Sequence, residues 1–359
     1  AAVTLDLVAV AARNTDGYVR VKSRGFNKLD VIDLTVAGPQ EGEGTHSASL
    51  IRGIAEGFRA VGKKVGGFDA YTASDVLRGS GLSSSAAFEM GMAVIWNGEY
   101  DCGLAPTELA KICQYAENTY FGKPSGLLDQ LTSAVGGIIF ADFADPASPQ
   151  IEKIHTDGLL PPGMSLCVTD TRDSHSELTG EFAAIRQEME QIAAFLGKKV
   201  LGQVTESAFW AALPALRKAC GDRAVLRSKC GDRAVLRAIH YFEENTRTLA
   251  QRDALQAGRF AAFAALVLES GRASFALCQN VYCSTDVRHQ GLSVALALSQ
   301  CILQGSGAWR MQGGGFAGTI QAYVPKELLE RYHSEIERVF GAGSCYVLRL
   351  REQGAVRVG

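Results

Sequence analysis

The most constraining feature of the sequence is the run GSGLSSSAA at residues 79–87, which lies between two recognisable elements. The alternating segment FDAYTASDVL before it predicts a strand, and the small residues after it predict a helix that begins near Ser83. Glycines let the backbone curl, and amide groups at a helix N-terminus converge where the helix dipole favours negative charge. Helix-capping serines and tightly packed alanines explain the run equally well when it is taken alone. As an anion-binding helix N-terminus, the run predicts a phosphate site formed by Gly79, Ser80, Gly81, Leu82, Ser83, Ser84 and Ser85.

Two acidic residues and a second glycine cluster follow the run. Glu117 precedes the segment FGKPSGLLDQ, and Asp129 lies twelve positions later, near the start of a predicted helix. Each acid, taken singly, is better explained as structural, since the helix dipole favours an aspartate in a first turn. The cluster at 313–318 is a hairpin turn or a backbone loop that closes over a ligand, and a turn is favoured when it is taken singly.

Length and composition limit the class of protein. The 359 residues are 47% apolar and 21% charged, which favours a globular chain of two domains. A net charge of −2 gives no basic excess for nucleic-acid binding. No apolar run approaches the roughly 18 residues of a membrane span, so we expect no membrane partner. Nine cysteines without a C-x-x-C pair are typical of reduced, cytoplasmic usage.

Periodicity predicts a β-rich opening followed by helices, and an α+β second domain. Residues 3–34 favour a meander of strands, and later patterns favour helices near 50–61, 107–118, 178–196 and 232–268. The stretch DPASPQ at 145–150 and the pair at 161–162 are the best linker candidates, which predicts domains at 1–155 and 156–359. The segment CGDRAVLR occurs at 220–227 and again at 230–237, which indicates a local duplication inside a helical hairpin.

Five dispersed segments together resemble one family. These are SDVL-x-GSGLSSSAAFE, QYAEN-x-YFGKPSGLLDQ, AAIRQEM, ALVLESGRASF and WRMQGGGFAGTIQA. In order and kind they resemble the GHMP small-molecule kinases, and among these the galactokinases, over essentially the whole chain. The resemblance implies a fold of two α/β domains with the active site in the interdomain cleft and with ATP bound chiefly by the first domain.

The resemblance also implies roles for single residues. Ser85 matches the magnesium-ligating hydroxyl of the family and Glu117 its magnesium carboxylate, while the backbone of 79–84 would bind the phosphates of ATP. Mg²⁺ prefers oxygen ligands and few protein contacts, so one serine and one carboxylate suffice. Asp129 matches the catalytic aspartate, and Gly126 would present its N–H to the sugar.

Two departures from the family pattern affect the sugar site. The signature GR-x-N-x-IG-x-H-T-D, which supplies the catalytic cation and most sugar contacts, is absent, and residue 1 resembles the strand after it. We therefore expect an amino-terminally shortened chain that turns over galactose poorly. Phe182 stands where the family often has a sugar-contacting tyrosine, and a phenyl ring makes no such hydrogen bond.

The resulting hypothesis is ATP- and Mg²⁺-dependent phosphorylation of the anomeric hydroxyl of galactose. One alternative is another GHMP sugar-1-kinase, because most residues that recognise the sugar are missing. A second alternative is a non-catalytic, galactokinase-like sensor of ATP and sugar. Retention of Ser85, Glu117 and Asp129 favours an enzyme.

Overall fold

The fold consists of two lobes, each built around a four-stranded sheet. The computed structural model describes residues 1–76, 82–145, 148–154, 160–173, 178–221 and 231–358. We call the first sheet with its helices the amino-terminal lobe, and the second sheet with its helices the carboxy-terminal lobe. The mixed α/β class predicted from the sequence is confirmed.

The sheet of the amino-terminal lobe is covered by helices on one face. Its strands, in the order β1-β4-β2-β3, are β1 (Leu7–Arg13), β2 (Tyr18–Ser23), β3 (Leu29–Asp33) and β4 (Phe68–Ser74). The predicted meander is wrong, because β4 pairs with both β1 and β2 and so separates them. Alternation within the strands explains why the helices cover only one face of the sheet. Val19 and Val21 are buried against the helices, whereas Val8 and Val10 of the edge strand are exposed on the other face.

Four helices complete this lobe: α1 (Ser47–Ala60), α2 (Ser84–Glu99), α3 (Pro106–Thr119) and α4 (Leu128–Val135). Pro106 starts α3, as predicted, because the missing N–H of proline is not needed in a first turn. Helices α1 and α3 pack closely, since Gly53 faces Ala116 and Gly57 faces Ile112. A hairpin of β5 (Ile138–Asp142) and β6 (Gln150–Ile154) follows α4.

The second sheet has helices on both faces. Its strands, in the order β10-β7-β9-β8, are β7 (Met164–Asp170), β8 (Ala308–Met311), β9 (Thr319–Pro325) and β10 (Cys345–Leu348). On β9, Ala322 and Val324 face one core cluster, whereas Tyr323 packs against Phe263 in another. The helices are α5 (Thr179–Phe195), α6 (Glu206–Gly221), α7 (Asp232–Gln256), α8 (Phe260–Ala273), α9 (Gly291–Leu303) and α10 (Lys326–Phe340).

The helix expected over 232–268 is in fact two helices. Gly258 has a φ of +64°, which ends α7 and turns the chain into α8. The sequence pattern also missed α6, which tolerates Pro214 inside it. The second CGDRAVLR copy enters α7, where Ala234 and Val235 are buried. Most of the first copy lies outside the described residues, so the expected duplication within a hairpin stays a prediction.

One helical stretch among the described residues, Phe260–Cys278, has the length and apolar composition to cross a membrane. The sequence pattern predicts no such span, yet an 18-residue window within this stretch has a mean hydropathy of 1.4. A packed helix of a soluble protein passes the same test, and this stretch contacts α7 and β8. It carries Glu269 and Arg272, and it buries Val267 and Ser270 within the carboxy-terminal lobe.

The predicted domain boundary after residue 155 falls in 155–159, which lies outside the described residues, so it remains a proposal. Residues 349–357 return to the amino-terminal lobe, and we refer to them as the carboxy-terminal strap. In the strap, Leu350 pairs with Val3, and the Ala355 N–H donates to the Ser133 carbonyl at 2.8 Å. The strap therefore joins the two lobes at the end of α4 that is remote from Asp129.

Candidate active site

A cleft of about 3440 Å³ runs between the two lobes. This volume exceeds the roughly 300 to 1,000 Å³ of common small-molecule sites, so two substrates can share it. Residues from separate parts of the sequence line it, and they include many of those singled out from the sequence: Leu82, Ser83, Ser84, Ser85, Gly126, Asp129, Phe182, Gly313 and Gly314.

The amino-terminal end of α2 faces this cleft. Ser83 precedes the helix with a φ of +58°, a left-handed conformation that costs a residue other than glycine about 1 kcal/mol or more. The helix begins at Ser84, within one residue of the predicted start. Gly79, Ser80 and Gly81, also expected to bind phosphate, lie outside the described residues. The described part of the run thus combines a strained backbone with a helix N-terminus directed at the cleft.

Ser85 and Glu117 meet at the base of this helix end. The Ser85 hydroxyl donates to Glu117 Oε1 at 2.9 Å, although the two residues are 32 positions apart. Glu117 is 1% exposed on α3, and Lys123 Nζ contacts the same Oε1 at 2.8 Å. Burial opposes ionisation of Glu117, but the hydrogen bonds from Lys123, Ser125 and Ser85 and the Lys123 charge outweigh it and lower the pKa. Glu117 is therefore an ionised, nearly buried carboxylate.

The Ser85 hydroxyl and the Glu117 carboxylate together offer oxygen ligands that fit a divalent cation. Glu117 Oε1 already accepts an ammonium group and a hydroxyl, and the ammonium belongs to Lys123, whose side chain is 59% exposed and free to move away. No cluster of three or more His, Cys, Asp or Glu side chains that would form a protein-only metal site occurs among the described residues. The donor set thus suits Mg²⁺, which keeps water and substrate phosphates as further ligands.

Two residues to which sequence reasoning gave no role lie behind Glu117, and Gln130 connects Glu117 to the other, Glu89. Gln130 Nε2 donates to Glu117 Oε2 at 2.9 Å and to Glu89 Oε2 at 3.0 Å. Burial and the nearby Glu117 charge raise the pKa of Glu89 to about 8. Glu89 and Gln130 are the last residues of two segments that carry the family resemblance, SDVL-x-GSGLSSSAAFE and QYAEN-x-YFGKPSGLLDQ. Their place in these segments was the signal that could have identified them.

Asp129 and Gly126 also line the cleft. Asp129 is in the first turn of α4, as predicted, and it is exposed to the cleft. Gly126 is also exposed, and a Cβ added to it would meet no atom within 4 Å. The open space beside Gly126 leaves room for a ligand next to the carboxylate of Asp129.

The carboxy-terminal lobe closes the cleft with Phe182 and the glycine-rich loop at 313–318. The rings of Phe182 and Phe316 pack edge to face with their centroids 5.3 Å apart. The Asn280 side-chain amide donates to the Gly314 carbonyl at 2.9 Å. A Cβ on Gly314 would lie 2.6 Å from the Phe182 ring, and one on Gly315 would lie 1.9 Å from the Asn280 carbonyl oxygen. Close packing requires these glycines. Because β8 pairs antiparallel with β9, residues 313–318 are the connection of a hairpin, as the turn interpretation predicts.

Comparisons with known proteins agree with this architecture. The model of the GHMP kinases N terminal domain matches residues 49–137. A galactokinase of Streptomyces coelicolor is 32% identical over 348 residues, which cover 96% of this chain and 83% of that protein.

Solved structures extend the likeness of fold to the whole chain. The galactokinase of Lactococcus lactis in complex with galactose has a TM-score of 0.78 at 20% identity, covering 99% of this chain and 88% of that chain. The mevalonate kinase of Methanococcus jannaschii has a TM-score of 0.58 at 14% identity, covering 97% of this chain and 89% of that chain. Together with the identity to the Streptomyces protein, these findings show that the chain belongs to the galactokinase family of GHMP kinases.

Proposed function

We propose that this protein transfers the γ-phosphoryl group of ATP to the anomeric hydroxyl of galactose. The observation that carries the proposal is the 32% identity to a galactokinase across 96% of the chain. The site supports it, because Asp129, Gly126 and the helix end at Ser83–Ser85 line one cleft. We further propose that the protein acts in the cytoplasm, in keeping with the free thiols of all seven cysteines whose side chains are described.

Each residue has a distinct part in the proposed reaction. The helix end at 82–85 binds the β- and γ-phosphates through backbone N–H groups and the helix dipole. Ser85 and Glu117 hold Mg²⁺, which when bound neutralises phosphate charge. Asp129 accepts the proton of the sugar hydroxyl, or orients that hydroxyl. The hydroxyl oxygen of the sugar attacks the γ-phosphorus, and ADP leaves. Gly126 donates its N–H to the sugar.

Phe182 favours a second candidate within the same class, a kinase for another sugar. Its ring is already engaged edge to face with Phe316 and contributes an apolar surface to the cleft. Such a surface binds a ring face or an apolar substituent and offers no hydrogen bond to a hydroxyl. If this second candidate holds, a sugar with fewer polar groups at this position is phosphorylated faster than galactose.

A coupled assay of ADP release tests the proposal with the full-length protein, Mg²⁺, ATP and a panel of hexoses. We expect turnover to be fastest with galactose. In Asp129→Asn we expect kcat to fall at least a hundredfold, while the affinity for ATP changes less than twofold. Faster turnover of another sugar would favour the second candidate. Binding of ATP and galactose without any release of ADP would contradict both and would indicate a sensor.

A further inference from the structure

A chain of three buried polar side chains lies behind the proposed metal site. Gln130 Nε2 is 2.9 Å from Glu117 Oε2 and 3.0 Å from Glu89 Oε2. The exposures of Glu89, Glu117 and Gln130 are 0%, 1% and 1%. The outer oxygen of Glu117, Oε1, faces Ser85 and Lys123, so the two oxygens of this carboxylate have separate tasks.

The orientation of the Gln130 amide follows from its partners. Its two N–H groups serve one oxygen of each acid, whereas a reversed amide would place Oε1 against the ionised carboxylate of Glu117, which only accepts. Gln130 is the residue that joins Glu117 Oε2 to Glu89 Oε2. Removing its amide would take this buried donor from Oε2 and leave the carboxylate held from the cleft side, through Ser85 and Lys123 on Oε1.

The stability of the fold does not explain this arrangement. Glu89 Oε1 and Gln130 Oε1 are buried without a partner, and such groups cost about 1 to 3 kcal/mol each. Apolar residues of similar volume at these positions would be neutral or stabilising. A polar chain that is incompletely satisfied is better explained by the residue at its end, Glu117, than by packing.

The position of Gln130 on α4 adds a second consequence. Asp129 and Gln130 are consecutive, yet Asp129 faces the cleft and Gln130 faces the core. The hydrogen bond from Gln130 to Glu117 thus joins the first turn of α4 to α3. Any rotation of α4 about its axis would move Asp129 and break this bond at the same time.

We propose that Gln130 is a positioning residue that fixes the carboxylate of Glu117 for the metal and keeps Asp129 in register with it. The inference rests on the proposed function, in which Glu117 holds Mg²⁺. Residues that orient metal ligands contribute tenfold to a hundredfold in metal affinity. Gln130 acts through Glu117 and touches neither metal nor sugar.

Calorimetric titration of a non-hydrolysable ATP analogue tests this role without any sugar. The analogue is titrated into the full-length protein at a series of Mg²⁺ concentrations and also in the absence of metal. In Gln130→Met we expect about a tenfold rise in the Mg²⁺ concentration for half-maximal binding. The affinity for the analogue in the absence of metal should change less than twofold. A general loss of structure would lower this affinity as well, so the comparison separates the two causes.

Three further variants keep the test decisive. Gln130→Asn, whose amide is one methylene shorter, should show the same rise if Gln130→Met fails to fold. Glu89→Gln should retain the wild-type Mg²⁺ requirement within threefold, since its amide oxygen still accepts from Gln130. Ser49→Ala, which removes a buried hydroxyl bonded to Gly44 and His46, is the control that should lower stability alone.

Two outcomes would overturn the inference, and they are distinguishable. If Glu117→Gln raises the Mg²⁺ requirement while both Gln130 variants stay within twofold of wild type, Gln130 has no positioning role. If Glu117→Gln itself has no effect, the assigned metal carboxylate is wrong and the inference fails with it. Loss of galactose turnover with an intact Mg²⁺ response would instead count against the proposed function alone.

Discussion

Glu89 carries the largest pH effect that a single residue of this site should produce. Its carboxyl is fully buried, and burial together with the nearby Glu117 charge raises its pKa from the usual 4.5 to about 8. Between these two values the native protein holds a proton that the unfolded chain has lost. The free energy of unfolding therefore falls as the pH rises through this interval, by up to about 1.4 kcal/mol per pH unit from this group.

We predict that Glu89→Gln removes this contribution, because an amide does not ionise. Urea denaturation without Mg²⁺, repeated from pH 5 to pH 8, measures the free energy of unfolding of both proteins. The difference between them should move steadily in favour of the variant as the pH rises. Parallel curves would mean that Glu89 ionises equally in the native and unfolded states.

The residues that sequence reasoning found and missed differ in a simple physical respect. Ser85, Glu117 and Asp129 lie in recognisable runs that face a ligand. Glu89 and Gln130 end two of the same runs, but they face the core, and helical sequence gives no sign that a polar group points inward there. Their partners are 41 and 13 positions away, and only the packing of α2, α3 and α4 brings them together.

At the scale of elements, the approach of α1 to α3 sets the position of Glu117. A Cβ on Gly53 would lie 2.8 Å from the Cα of Ala116, the residue before Glu117. A backbone atom cannot move aside as the tip of a side chain can. An alanine at position 53 would therefore push α3 away from α1, despite the better helix propensity of alanine.

We predict that Gly53→Ala lowers the free energy of unfolding by about 1 to 3 kcal/mol. It should also raise the Mg²⁺ requirement for binding of the ATP analogue, because Glu117 moves with α3. Thermal denaturation and the analogue titration measure the two effects. The matched control is Gly180→Ala in α5, where an added Cβ meets nothing within 4 Å and stability should hold or rise. Equal stability of the two variants would show that α1 and α3 adjust without cost.

The elements themselves were more predictable than their pairing. Period-two runs located β1, β2, β3 and β4, and helical spacing located α1 and α3 to within a few residues. Pairing depends on contacts between distant segments, so β4 entering between β1 and β2 has no local signal. The break between α7 and α8 did have one, since Gly258 lies at the junction, but the apolar residues on either side mask it.

At the scale of the whole molecule, the carboxy-terminal strap connects the lobe that closes the cleft to the helix that carries Asp129. The N–H of Gly137 donates to the Arg351 carbonyl at 2.7 Å, and Arg351 forms an ion pair with Asp6. Gly354 fits tightly here, because an added Cβ would lie 2.1 Å from the Ala134 carbonyl oxygen at the end of α4. Sequence patterns predicted a final strand but gave no indication that the chain returns to the first lobe.

We predict that Gly354→Ala displaces the strap from α4 and loosens the contact between the lobes. An added Cβ cannot lie 2.1 Å from a carbonyl oxygen, so the strap must move, and the 2.8 Å bond between Ala355 and Ser133 is lost. The free energy of unfolding should fall by about 1 to 3 kcal/mol, as for other overpacked sites. Because α4 is held at this end by the strap and at the other by Gln130, kcat should also fall.

Denaturation monitored by tryptophan fluorescence and the coupled ADP assay measure these two effects. The matched control is Val358→Ala, four residues further along, whose side chain is 91% exposed and whose truncation should change neither quantity. A loss of stability with unchanged kcat would mean that the strap joins the lobes without orienting Asp129. An unchanged stability in Gly354→Ala would contradict the prediction outright, because the close approach of Gly354 to Ala134 would then contribute nothing to the fold.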